Sequence, residues 1–464
     1  MNIFIILPGH LFENVENLKE MDEIYIVEEY LDEKLDNPIR VKYFRDCLDF
    51  YYHYLKKEFR NKNIKYVKSL DKVKLKNNGT LSFYDPVNHD VEKELVKLAH
   101  KYKCKINMIE TLGFITSRED LIKYYHKKKT LRQTSFYQYQ RMKLNILLNN
   151  QGHPLGGKLT YDSENRNPMP PNDPIINKKY KSFPTNFSDA KKWLNEFIKK
   201  RLAKFGLYQD AIIEGTDNNI FLYHSGISPM MNMGLLRPID VINEVLKHFN
   251  KMTSAKKQKE LHNIEGFIRQ VVGWREHCRL TYVIAYDKMK NANKLKGKYK
   301  IPKSWFSDNP KTGIKPLDDA LTNGWTNGYL HHIERLMVVG SFMMMIGIHP
   351  DEAYKWFFHM SCDSYDWNMV NNVKIMALYA YPKLYTTKPY IASSNYILKM
   401  SNYEKDGVWD KVWDALYWEF VNKHKLLIKG NPRLSMQIKF YSKKTLGEKQ
   451  EYKKIKNDII KKLF

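Results

Sequence analysis

The tract from Gly152 to Pro184 divides this 464-residue chain into two parts that cannot share one architecture. It begins GHPLGGKLTYDSENRNPMPPNDP, a concentration of Gly, Pro, Asn and Asp that interrupts helix and strand alike. Such a segment is expected to run over the surface as a long connector. Upstream, residues 2–7, EIYIVEEY from Glu23, NIKYVKSL from Asn63 and CKINMIET from Cys104 are strand-like runs, with helix-like stretches at 43–59 and 90–102 between them. That alternation predicts an α/β domain with a doubly wound, mostly parallel sheet. Beyond about Asp189, amphipathic windows at 190–205, 238–250, 264–282 and 328–346 predict a large all-α domain. The expected division is 1–135 α/β, 136–188 linker and 189–464 helical.

Composition narrows the function. Lys and Arg number 77 against 51 Asp and Glu, a formal charge of +26, which suits a polyanionic partner. Apolar residues make up 43% and aromatics 14%, enough for a real core and incompatible with a disordered basic chain. Cys47, Cys104, Cys278 and Cys362 form no CxxC or CxxH cluster. This argues against a disulfide framework or structural zinc and for thiols in a reducing, intracellular compartment. MNIFIILP lacks the basic start of a signal peptide, and the apolar stretch at 337–348 is too short for a bilayer. No membrane span is expected, and no GxGxxG occurs.

Three constellations stand out in the helical part. In GYLHHIERLMVVGSFMMMIGIHPDEAYKWFFHMSCDSYDWNMVNN, a helix from Gly328 places His332 and Arg335 on one face, with His331 turned about a hundred degrees away. A buried Arg needs a carboxylate, so an Arg335–Asp363 pair is expected, although two helices with satisfied polar groups would also explain the spacing. In IEGFIRQVVGWREHCRL, Glu265, Arg269, Trp274, Arg275 and Glu276 form either an exposed ion-pair face or a grip on a phosphate-bearing ligand. In FLYHSGISPMMNMGLLRP, Ser225 and Ser228 cap a helix starting near Pro229, or present hydroxyls to an anion. Together they describe a pocket for a large, flat, phosphorylated cofactor.

These runs, with FYQYQRMKLNILLNNQGHPLGGKLTYDSENRNPMP, FGLYQDAI, KPYIASSNYILKMSNY, LYWEFVNKH and NPR, resemble the photolyase–cryptochrome family in its prokaryotic, iron–sulfur-carrying branch. The likeness spans nearly all of the chain from Phe136. It implies an N-terminal antenna domain, a linker and a helical domain binding FAD. Ser225 and Ser228 match the family's phosphate-contacting serines. Arg275 lies in its WRE motif, and Arg335 with Asp363 matches the pair beside the isoalloxazine. Tyr208, Ile227, Asn232, Gly234, Arg269 and Gln270 are further implied flavin contacts, as are His332, Tyr365 and Asp366. Asn372, or Met369 in another register, matches the residue near flavin N5.

The resemblance places His331 and His332 on the lesion side of the flavin, with Tyr390 in the lesion pocket and Trp274 stacking on a flipped base. A histidine there supplies a proton or hydrogen bond, most useful for a (6-4) photoproduct, in which an oxygen must move back between bases. Trp356 matches a link in the electron-transfer chain, while Phe357 and Asp308 replace its aromatic neighbours and Trp305 stands close by. The family's opening turn is replaced by Pro8-Gly9-His10-Leu11, which weakens the case for a lumazine antenna. Positions aligned with the four cluster thiolates carry Pro316, Glu404, Gly407 and a residue near Lys411, so loss of the iron–sulfur cluster is expected. Trp409 and Trp413 are then expected to fill the space.

The leading expectation is an FAD-dependent, light-driven enzyme, acting as a monomer on UV-damaged double-stranded DNA and repairing (6-4) photoproducts. A photoreceptor with FAD and no repair, or a basic DNA-binding protein that has lost FAD, are the alternatives. Elemental analysis of pure protein is expected to find no stoichiometric iron or acid-labile sulfide; finding both would defeat the cluster-loss reading.

Overall fold

The computed structural model describes residues 1–164, 167–170, 182–216, 220–382, 384, 386 and 388–464. The connector positions 165–166 and 171–181 lie outside the described residues. Five parallel strands form one sheet in the order β3-β2-β1-β4-β5: β1 (Asn2–Ile6), β2 (Glu23–Val27), β3 (Asn63–Val67), β4 (Thr80–Tyr84) and β5 (Lys105–Ile109). Ile5 pairs with Tyr25 on one side and Phe83 on the other. Buried on both faces, β1 therefore reads as a continuous apolar run. β4 was absent from the sequence expectations because Ser82 breaks its apolar pattern. Here that hydroxyl is buried and accepts from Asn107 Nδ2 at 3.2 Å.

Strand order reverses between β1 and β4, where open α/β sheets usually leave a ligand crevice. In this chain the crevice is an interdomain joint. Leu11 N–H donates to the Met233 carbonyl at 3.1 Å, and Arg279 pairs with Asp85 at 2.8 Å. His10 Nε2 lies 3.1 Å from the Asp85 carbonyl, and burial pushes its pKa down to about 4. Gly9, at φ 104°, lets the turn pass so close to the Asn232 carbonyl that a Cβ would sit 3.2 Å away. The Pro8–Leu11 turn thus serves docking.

Helix α1 (Pro38–Glu58) starts with Pro in its first turn and with Asn37 accepting the Ile39 amide. Its Arg40 is fully buried, bonded to Asp36 at 3.2 Å. The same guanidinium donates to the carbonyls of Ser361 (2.8 Å), Ser364 (3.2 Å) and Tyr30 (3.2 Å). α2 (His89–Lys101) covers the sheet, whereas α3 (Arg118–Lys128) and α4 (Gln133–Lys143) pack on the helical part. α4 approaches so closely that a Cβ on Gly273 would lie 3.1 Å from the Tyr137 ring.

After α5 (Phe187–Lys200), helices dominate. One long helix runs Ser254–Ile268, widens into π turns over Arg269–Arg275 and continues as Glu276–Lys290. Two more π stretches, Glu334–Gly340 and Val370–Ala377, adjoin Ser341–Ile346 and Asp366–Met369. The expected helix from Gly328 begins later, at His332. Gly328 (φ 60°) caps the preceding helix Lys315–Asn327, as glycine in the left-handed region does. Trp409 and Trp413 are buried and donate to the carbonyls of Glu404 (3.0 Å) and Ala392 (2.9 Å). Among the described residues no helix is long and apolar enough to cross a membrane.

Replacing Arg40 by Met removes the guanidinium from Asp36 and from three carbonyls, leaving the buried carboxylate to the Asp32 amide and His359. Urea denaturation is expected to show a loss of roughly 3–5 kcal/mol, and a loss below about 1 kcal/mol would show that the grip on residues 361–364 adds little.

Candidate active site

The three π-widened helices and the segment around Ser225–Asn232 enclose a cavity with about 1300 Å³ of atom-free space, open solvent at its mouth included. A π turn inserts a residue into the helix and is frequent at functional sites. Gln270, Trp274 and Arg275 reach the cavity from the first π stretch, Arg335 and Leu336 from the second, and Asn372, Val373 and Met376 from the third.

At its centre, Arg335 and Asp363 form the expected pair, bidentate at 3.0 and 3.1 Å. Arg335 also donates to the Leu330 carbonyl (2.6 Å) and to Ser361 Oγ (3.1 Å). Asp363 accepts hydroxyls from Ser228 (2.7 Å) and Ser361 (2.5 Å). Burial would raise the Asp363 pKa, but Arg335 and the two hydroxyls outweigh it and hold the carboxyl below its ordinary range. Ser225 and Ser228 cap nothing: the helix Ser228–Met233 has no side-chain cap, which leaves both hydroxyls to the cavity wall and Asp363.

Arg275 lies between the rings of Phe114 and Trp367, 4.7 and 4.8 Å from their centroids. It donates to the Gly113 carbonyl at 2.9 Å and to Asn232 Oδ1. Burial pulls its pKa down to about 10, so it stays charged at neutral pH while tying the α/β part to the cavity. Asn232 and Asn368 donate to the Asp363 carbonyl at 2.7 and 2.9 Å. Ile227, Met369 and Asn372 also line the cavity, so both candidate registers for the latter two reach it.

Several expected contacts lie elsewhere. His331 is buried behind the wall, and of the His pair His332 is the member that opens into the cavity. The enclosing protein and the Arg335 guanidinium push the His332 pKa down, to about 4, leaving a neutral imidazole. Glu265 and Arg269 are neither an exposed ion-pair face nor a phosphate grip. Glu265 accepts Tyr137 O–H (2.8 Å) and Tyr161 N–H (3.1 Å), while Arg269 pairs with Asp162 (2.9 Å), anchoring the connector. Glu276 accepts the amides of Ile115 and Thr116, each at 2.9 Å.

Gly234 (φ 97°) sits at the domain joint, where a Cβ would lie 2.7 Å from the Leu11 amide. Tyr208 packs on Tyr223 (4.9 Å), and Tyr365 stacks on Phe44 (5.8 Å). Asp366 accepts the phenols of Tyr282 (2.5 Å) and Tyr354 (2.6 Å). Tyr390 is half-buried against the second core and is not part of the lining. Trp356 lies behind the cavity-lining Phe357, their rings 4.9 Å apart, and donates to the Trp305 carbonyl at 2.7 Å. Sequence reasoning gave no role to His224, Cys278, Trp367 and Asn368, which lie on the wall and inside the runs quoted above.

A broad cleft with apolar walls, a charged Arg–Asp pair and converging amide and hydroxyl groups suits a flat, polar-edged ligand. A family model described as deoxyribodipyrimidine photo-lyase-related protein matches residues 4–206. A (6-4) photolyase of Agrobacterium fabrum is 29% identical over 387 residues, covering 76% of this chain and 74% of that protein. A bacterial class III photolyase structure from Agrobacterium tumefaciens aligns over 99% of this chain and 98% of its own, with a TM-score of 0.57 and 14% identity. A Synechocystis cryptochrome structure covers 98% and 99%, with a TM-score of 0.56 and 15% identity. Sheet order and helical remainder therefore make up the photolyase/cryptochrome fold, and the chain is similar to deoxyribodipyrimidine photolyase-related proteins over residues 4–206 and to a (6-4) photolyase over most of its length.

Proposed function

We propose that this protein is a light-driven DNA repair enzyme that binds FAD in the cavity and reverses UV pyrimidine dimers, (6-4) photoproducts in particular. The observation that carries the reading is His332, a neutral imidazole opening into the cavity that holds the Arg335–Asp363 pair. The polar groups present fit a flavin dinucleotide: Ser225, Ser228 and Asn232 for the phosphates, with Arg335, Asp363 and Asn372 for the edge of the flat ring. Bound FAD, reduced and excited by light, supplies the electron for lesion splitting.

The chain's own residues do the rest. Asp363, kept ionised by Arg335, offers a fixed carboxylate acceptor. His332 starts neutral, and an anionic lesion beside it raises its proton affinity, so it gains and delivers a proton only with damaged DNA in place. Trp274, at the wall, offers a face for a flipped base. Trp356, with Trp305 behind it, supports an electron supply to the cavity from the buried second core. The +26 charge supports binding to duplex DNA, and the absence of cysteine at Pro316, Glu404, Gly407 and Lys411 supports a chain without the cluster. The Pro8–Leu11 turn, engaged in docking, gives no support to a lumazine site.

Reduced protein should be illuminated with oligonucleotides carrying either lesion, beside a dark control. Repair of (6-4) photoproducts is expected, and repair of neither lesion with FAD bound would favour the photoreceptor reading. His332→Ala is expected to lower repair at least about a hundredfold with FAD retained, and undiminished repair would remove His332 from the chemistry. Arg335→Ala is expected to deplete FAD, read from the absorbance ratio of the purified protein. DNA affinity is expected to fall steeply with salt as phosphate contacts release counterions; a flat response would detach the charge from DNA.

A further inference from the structure

Behind the cavity wall, three buried polar atoms lack a well-aligned hydrogen-bond partner: His224 Nε2, His331 Nε2 and Glu334 Oε2. Buried polar atoms are ordinarily bonded, so three left open at one place need a cause. They are neighbours. His331 Nε2 stands 3.3 Å from Glu334 Oε2, and the His331 ring stacks on His224 at 4.5 Å and 12°. His224 and His332 line the cavity, while His331 and Glu334 form the layer behind, 0% and 2% exposed.

The charged and titratable groups around the pair come from every side. Arg335 lies on the same helix, and His224, with Arg201 beside it, comes from the facing segment. Asp319 comes from Lys315–Asn327, and it accepts the Tyr403 hydroxyl at 2.9 Å. Burial is the largest influence on both partners. It pushes Glu334 up to about 8, with Asp319 adding to the rise, and drives His331 well below the usual imidazole range, helped by His224, His332 and Arg335. At neutral pH a carboxylic acid therefore faces a neutral imidazole.

We propose that Glu334 and His331 form a proton-sharing pair that responds to negative charge arriving in the cavity. The Glu334 Oε2–H bond breaks and an N–H bond forms at His331 Nε2. A neutral pair becomes carboxylate and imidazolium, with the positive member on the layer that touches His224 and His332. One proton crosses one contact, and no co-reactant is needed. The Glu334 amide donates weakly to His331 Nδ1 at 3.5 Å, so the exchange requires His331 to give up that long contact and carry its other proton on Nδ1. Glu334 is a positioning residue that acts through His331. The identity of the anion rests on the proposed function; the pair itself does not.

Linkage gives a test on the apoprotein. A carboxyl raised in the folded state contributes stability that is complete below its unfolded value and lost as pH rises through its folded value. The neighbouring histidines, all lowered, are neutral in both states above their ordinary value and drop out of that window. From about pH 7 to about pH 9, the folded-to-unfolded ratio is expected to fall about tenfold more in wild type than in Glu334→Gln. Equal slopes would overturn the proposal, and Glu334→Met provides the same comparison if the amide disturbs packing. Infrared spectra of the apoprotein at neutral pH are expected to contain a carboxylic-acid band missing from Glu334→Gln; an unchanged band region would also overturn it. In FAD-loaded protein, light-minus-dark spectra are expected to lose that band in wild type and to keep it in His331→Phe. A band that persists in wild type through flavin reduction would overturn the proton transfer. Failure to take up FAD would instead sink the proposed function, leaving the two apoprotein measurements to decide the pair.

Discussion

The buried Arg335–Asp363 pair is the interaction on which the rest of the cavity depends. Removing two charges from water is expensive, and such a pair persists only where its remaining hydrogen-bonding capacity is filled. Here Ser228 and Ser361 complete Asp363, while the Leu330 carbonyl and Ser361 complete Arg335. The segment carrying Asp363 is itself held from the other part of the molecule, because Arg40 of α1 grips the carbonyls of Ser361 and Ser364. Cavity and domain interface are thus one construction. Arg275 repeats the pattern, one end on Asn232 in the cavity wall and the other on Gly113 beyond the sheet.

Helix geometry does the complementary work. Three of the helices that wall the cavity carry π turns there, each giving up ordinary hydrogen-bond spacing to widen the helix. The extra residue turns the following side chains by about a hundred degrees. The same low-polarity surroundings keep His224 and His331 neutral and Glu334 protonated, so the wall can separate charge when an anion arrives. Rigidity and responsiveness come from one cause, the burial of polar groups.

Much of this was legible in the chain itself. Four of the five strands, the change to helices after the connector and the Arg335–Asp363 pair follow from local pattern and residue chemistry. β4 was hidden because Ser82 is satisfied by Asn107 on a neighbouring strand, a partner no local window contains. Glu265, Arg269 and Glu276 suggested a ligand grip because their density on an apolar helix is unusual. The structure uses them to fasten the connector and the segment before α3, since a buried ion finds whichever partner the tertiary fold brings near.

The sequence by itself determined the two-part architecture and the chemical types available to the cavity, because periodicity and composition are local properties of a chain. Only the tertiary structure decided which of those residues face the cavity. His331 and His332 are adjacent in the chain, yet one is sealed against Glu334 and the other opens into the cleft. Tyr365, Asp366 and Gly234 lie in the same motifs as true lining residues and serve the interface or the core instead. The physical reason is that spacing fixes a side chain's direction only within a regular helix, and here π turns, a glycine cap and packing between distant segments set the directions that matter.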